Sequence, residues 1–98
     1  MITNRIKKKI FVLGLGISGM SIALYLNKIS KKIYCWDDNL KTRTKAKKSG
    51  LILTSPKKIN FNEFCYLVVS PGINHQIKEP HPAIRLARKC KVKITTDL

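Results

Sequence analysis

Residues 10–19 read Ile10-Phe11-Val12-Leu13-Gly14-Leu15-Gly16-Ile17-Ser18-Gly19, and the fold turns on how this stretch divides. The first four residues form a short continuous apolar run of strand formers, the pattern of a strand covered on both faces. A G-x-G-x-x-G follows at once. From Ser18 onward the apolar residues Met20, Ile22, Ala23, Leu24 and Leu26 continue without proline, predicting a buried helix that ends near 27–30. Between a strand and a helix, this glycine spacing has a specific physical use. The first glycine permits a tight turn, and the second lets backbone approach a phosphate with no Cβ in the way. The third lets the helix pack closely on the strand. The helix N-terminus then presents free N–H groups and a partial positive charge to an anion.

Two other readings of the stretch fail. Gly14, Gly19 and Ser21 superficially match an ATPase phosphate loop, but Met20 stands where that motif requires Lys, so nothing holds the β and γ phosphates. Residues 10–26 carry no charge and follow Arg5 and Lys7, Lys8 and Lys9. That is the outline of a signal segment or membrane span, but it is shorter than the roughly 20 apolar residues a spanning helix needs. It also contains three glycines, and lysines flank it on both sides with no small-residue cleavage site.

Working outward, Ile33-Tyr34-Cys35-Trp36 reads as a second strand that stops at Asp37-Asp38-Asn39. Asp37 lies 23 positions after Gly14, where a carboxylate commonly meets a ribose hydroxyl or another ligand donor. Residues 40–49 predict a strongly basic helix closed by Gly50, and residues 51–54 a third strand. At 60–63, Asn60 predicts a cap for a short helical turn, with Glu63 reaching back to it. Tyr66-Leu67-Val68-Val69-Ser70 is a strand ended by Pro71-Gly72. His81-Pro82 opens another helix, and Val92-Lys93-Ile94-Thr95 is a last strand. Strands alternate with helices throughout. The fold class is therefore α/β, with a mainly parallel sheet of about five strands. Ser70 and Gly72 fall at the carboxyl end of the fourth strand, which in a doubly wound sheet lies beside the glycine loop.

Composition sets the limits. Ninety-eight residues make one small domain and exclude a multi-domain enzyme within this stretch. Twenty Lys and Arg against five Asp and Glu give a formal charge of +15, yet 44% hydrophobic residues exclude a disordered polycation. Such a charge raises nucleic acid as a partner, but the lysines are scattered and not gathered into a stripe with interleaved aromatics. Cys35, Cys65 and Cys90 have neither metal-ligand spacing nor an even count for a disulfide framework, which suits a reducing cytoplasm. His75 and His81 have no carboxylate near them in sequence and read as loop or cap residues. No catalytic constellation emerges.

The glycine loop with Ala23 and Leu26, then Trp36-Asp37-Asp38, then Val69-Ser70-Pro71-Gly72-Ile73, His81-Pro82, Ala87 and the terminal residues 94–98 together resemble the N-terminal domain of the Mur ligases, in particular the D-glutamate-adding members. The resemblance spans nearly the whole chain in order and spacing. It implies a Rossmann-like domain that holds the UDP part of UDP-MurNAc-L-alanine, with no cofactor of its own. By position, Gly14, Gly16, Ile17, Ser18 and Gly19 would form the diphosphate loop, with Ile17 and Ser18 offering amides. Asp37 and Asp38 would hold the uracil, and Ser70 and Gly72 would close on the diphosphate from the other side. Asn39 stands where relatives often carry a phosphate-contacting Arg, which leaves Arg43 or Lys41 as substitutes.

The resemblance further implies ATP- and Mg2+-dependent joining of D-glutamate in cytoplasmic peptidoglycan synthesis, carried out by central and C-terminal domains that these 98 residues do not contain. The expectation is thus a substrate-binding fragment, inactive alone, monomeric, and bound to neither nucleic acid nor membrane. An NAD(P)-binding domain is the second reading, with Asp37 selecting NAD. A basic nucleic-acid-binding module is the third.

Overall fold

A computed structural model of the chain describes residues 9–29, 32–70 and 82–95. Among these, the elements run β1 (Lys9–Leu13), α1 (Ile17–Ile29), β2 (Ile33–Trp36), α2 (Leu40–Lys48), β3 (Ile52–Leu53), β4 (Phe64–Val69), α3 (Pro82–Lys89) and β5 (Lys93–Thr95). Two short 3-10 turns, Pro56–Lys58 and Phe61–Glu63, lie between β3 and β4. The strands pair in the order β3-β2-β1-β4-β5, every neighbour parallel. The chain therefore winds outward from β1 to β3, then crosses to the other side at β4. This makes the carboxyl ends of β1 and β4 the switch point at which ligands bind in such sheets. The expected α/β class and five-stranded parallel sheet are both present.

Strand alternation sorts the core into two layers. On one face Val12, Ile33, Cys35 and Val68 pack with Ala23 and Leu26 of α1 and Ala46 of α2. On the other, Phe11, Leu13, Leu67 and Val69 pack with Ala83, Ile84 and Ala87 of α3. The second layer is closed at the amino end of β1 by an aromatic cluster, in which Phe64 meets Phe11, Phe61 and Tyr34 with ring centroids 5.6 to 5.9 Å apart. At the start of β4 the pairing with β1 slips by one residue between Lys9 and Ile10, and the Cys65 thiol reaches the Lys9 carbonyl at 3.5 Å.

The differences from the sequence expectations are local. The third strand contracts to Ile52–Leu53, and the fourth starts two residues early, at Phe64. Asn60 does cap its turn, accepting from the Asn62 amide at 3.0 Å. Glu63 does not reach back. Its carboxylate instead takes the Lys9 ammonium at 2.5 Å, a stronger partner than a neutral amide. The expectations at Pro71, Gly72, Ile73, His75, His81 and 96–98 lie outside the described residues.

Gly14 adopts φ +91°, a left-handed conformation that any other residue enters at a cost. Gly19 is held by a different constraint: a Cβ there would lie 1.9 Å from the Gly14 carbonyl oxygen. The alanine variant Gly19→Ala should therefore force α1 off the sheet and cost about 3 kcal/mol, which in a domain this size is a Tm drop on the order of 15 °C by calorimetry.

Cys35 is fully buried beneath α1 and α2, and burial pushes its thiol up to about 12 from 9.0. Between those two values the unfolded chain gives up a proton that the folded chain keeps, so this group's contribution to stability falls as pH rises through the window. Denaturant midpoints measured across it should decline less steeply for Cys35→Ala than for the parent chain.

Candidate functional site

The loop between β1 and α1 is pinned from three sides by backbone groups. The Gly14 amide donates to the Trp36 carbonyl at 2.8 Å, the Ser70 amide donates to the Leu13 carbonyl at 2.9 Å, and the Met20 amide closes the first helical turn on the Gly16 carbonyl at 2.8 Å. Gly14, Gly19 and Ser70, three of the residues singled out from sequence, are thereby brought together. The Ser70 Cβ is 3.6 Å from where a Cβ on Gly19 would sit, and Ser70 is itself buried.

Asp37 supplies the fourth pin. Its Oδ2 accepts the Leu15 amide at 2.7 Å and its Oδ1 accepts the Asn39 amide at 2.8 Å. One carboxylate thus ties the glycine loop to the loop after β2. Its main-chain carbonyl accepts from the Arg43 guanidinium at 2.8 Å, and that guanidinium lies over the Trp36 ring, 4.4 Å from the centroid. The Trp36 indole N–H in turn donates to Asp38 Oδ1 at 3.0 Å. Asn39 is the N-cap of α2, accepting the Thr42 amide at 3.1 Å. The sequence singled out Asp37, Asp38 and Asn39 as ligand contacts; in the structure each first performs a task within the chain. That backbone-directed work left no mark in the sequence beyond the Asx residues themselves, which favour such turns.

The α1 N-terminus differs from the starts of α2 and both 3-10 turns. Each of those three is preceded by an Asn or Ser whose side chain accepts an early amide. α1 is preceded by Gly16, which has no side chain to offer, and its first turn contains no acidic residue. The early amides of such a helix have no partner within it. Here they belong to Ile17 and Ser18, both exposed, with Ile17 at 92%. Gly16 also shows no internal reason to be glycine, since a Cβ would meet nothing within 4 Å and its φ lies outside the left-handed range. What the loop presents outward is a bare, electropositive set of N–H donors next to backbone that a ligand can approach closely.

Two hollows flank it. One, of about 370 Å³, runs from Gly16 and Ile17 to Thr42 and Lys45 of α2. The other, of about 280 Å³, lies at the carboxyl ends of β2 and β3 between Trp36, Asp38, Ser55, Lys57 and Pro82. Among the described residues, no group of three His, Cys, Asp or Glu could hold a metal ion, and no helix is long and apolar enough to cross a membrane.

The family model described as Mur ligase MurD-like, N-terminal domain, matches residues 8–96. The chain is 39% identical over 88 residues to the UDP-N-acetylmuramoylalanine–D-glutamate ligase of Roseobacter denitrificans, covering 89% of this chain and 19% of that protein. It is 37% identical over 100 residues to the ligase of the same name from Wolbachia pipientis, covering 97% of this chain and again 19% of the relative. The ligase from the Wolbachia of Brugia malayi is 33% identical over 93 residues. The chain thus spans about a fifth of the length of these relatives. No solved structure matches it significantly.

Replacing Asp37 by Asn tests the four-way pinning. The amide keeps one acceptor oxygen but turns an N–H2 toward a backbone donor, so one of the two loops is released. Asp37→Asn should lose about 1 to 3 kcal/mol of stability in denaturant titration. Amide exchange should accelerate at Leu15 or Asn39, with the core of β4 little changed.

Proposed function

The chain belongs to the Mur ligase MurD-like N-terminal domain family, and on that premise we propose that it is the lobe that binds the UDP moiety of UDP-MurNAc-L-alanine in a D-glutamate-adding ligase of peptidoglycan synthesis. The observation that carries this reading is the uncapped start of α1. Exposed amides at Ile17 and Ser18, a Gly16 that only an outside partner would require, and a location at the β1/β4 switch point together suit a diphosphate.

In this reading Gly14 and Gly19 shape the loop, Gly16, Ile17 and Ser18 face the phosphates, and Ser70 supports the loop from beneath. The contact that the resemblance assigns to Gly72 lies outside the described residues. The uracil takes the hollow beside Asp38, where the Trp36 and Pro82 side chains offer apolar walls and Asp38 an acceptor for the base N–H. Asp37 holds that hollow in register with the phosphate loop by bonding both loops at once. Each carboxylate oxygen has a second lone pair, so the contact to the base that the resemblance assigns Asp37 remains open to it.

These residues do not suit ATP, because Met20 replaces the phosphate-binding Lys. ATP, Mg2+ and the joining of D-glutamate belong, in this proposal, to the remaining four fifths of the ligase, in the cytoplasm. The 98-residue chain binds substrate and performs no chemistry alone.

Titration of 15N-labelled chain with UDP-MurNAc-L-alanine or with UDP should give saturable shifts centred on Leu15, Gly16, Ile17 and Ser18, and NADH should give none there. Saturation by NADH with no response to either uridine nucleotide would overturn the proposal.

A further inference from the structure

On the premise that the glycine loop holds the diphosphate, we propose that Lys45 of α2 supplies the cation that neutralises it, taking the part that position 39 cannot play in this chain. Position 39 is committed elsewhere: the Asn39 side chain caps α2 through the Thr42 amide, and a carboxamide carries no charge. Arg43, the obvious substitute in sequence, is also committed. Its guanidinium is bonded to the Asp37 carbonyl at 2.8 Å and stacked on Trp36, so it braces the loop after β2 and does not project beyond it.

Lys45 is in a different position. The hollow of about 370 Å³ that opens from Gly16 and Ile17 is walled on its far side by Thr42 and Lys45. These two residues are three apart on α2 and so share a face. That face is held toward the loop because the next residue, Ala46, is fully buried against the sheet. The three carboxylates of the described residues are all occupied by other groups: Asp37 by amides, Asp38 by the Trp36 indole, Glu63 by Lys9. Among the described residues the Lys45 ammonium meets no carboxylate, leaving it available on a flexible stem at the wall of the hollow that Gly16 and Ile17 also line. A cation there would act jointly with the Ile17 and Ser18 amides on one anion. A neutral ligand in the uracil hollow would not feel it.

The test is an NMR titration of the full 98-residue chain at fixed ionic strength, with UDP and with uridine, on the parent chain, Lys45→Ala and Lys47→Ala. The last removes the same charge from the same helix on its opposite face, since residues two apart on a helix point in nearly opposite directions. For Lys45→Ala, the UDP dissociation constant should rise about five- to tenfold while that for uridine stays within about twofold. For Lys47→Ala, both should stay within about twofold. Three outcomes overturn the assignment: UDP binding by Lys45→Ala within twofold of the parent, an equal loss for uridine, or an equal loss in Lys47→Ala. In each of these the parent chain still saturates with UDP and the diphosphate reading stands. If the parent chain itself fails to saturate with UDP, the diphosphate reading fails and the assignment fails with it.

Discussion

The Asp37 carboxylate is shared by the loops that follow β1 and β2. Each oxygen accepts a backbone amide, at 2.7 and 2.8 Å, one from the turn after β1 and one from the turn after β2. Bonds from amides to an ionised acceptor are shorter and stronger than those to a carbonyl, and losing one strands a donor in a partly buried place. The arrangement sets how far apart the glycine loop and the hollow beside Asp38 lie. The contact of Gly19 with Gly14 sets how closely α1 approaches the sheet. Together they make a rigid edge out of two loops, and a binding surface assembled from loops depends on such rigidity.

How much of this was legible in the sequence depended on whether the controlling interaction is local. The apolar run before Gly14, the glycine spacing and the alternation of strands with helices are local patterns, and they led directly to the parallel sheet. The strand limits moved by a residue or two where pairing, not composition, sets the end: β3 is shorter than its apolar run, and β4 begins under the aromatic cluster. Asp37 was legible as a position but not as a clamp, because its partner Leu15 is 22 residues away and is engaged through a backbone amide common to every residue type. Glu63 was misread for a related reason, since the cation that takes it, Lys9, lies 54 residues upstream. Lys45 could not be distinguished from the other lysines of α2 until the packing of Ala46 determined which face of the helix looks at the loop.

The same long-range contacts change the meaning of the charge. Among the described residues the ion pair of Lys9 with Glu63 takes up one carboxylate, while Asp37 and Asp38 bond neutral N–H groups, so the lysines of α2 are not held in ion pairs. Composition alone pointed to a polyanion. In the function proposed above the partner is a compact anion, in keeping with bare amides that are confined to the first turn of one helix.

The sheet's outermost strands are also unusually brief, two residues in β3 and three in β5. A neighbouring molecule seeking to extend the sheet by adding a strand would find only a few unpaired backbone groups on either flank, with Lys93 at the start of β5. Growth by strand addition is disfavoured on both sides, and mutual repulsion between copies carrying +15 opposes it further. The described sheet edges thus give the backbone little with which to recruit other copies of the chain, while the glycine loop stays exposed at the carboxyl end of β1.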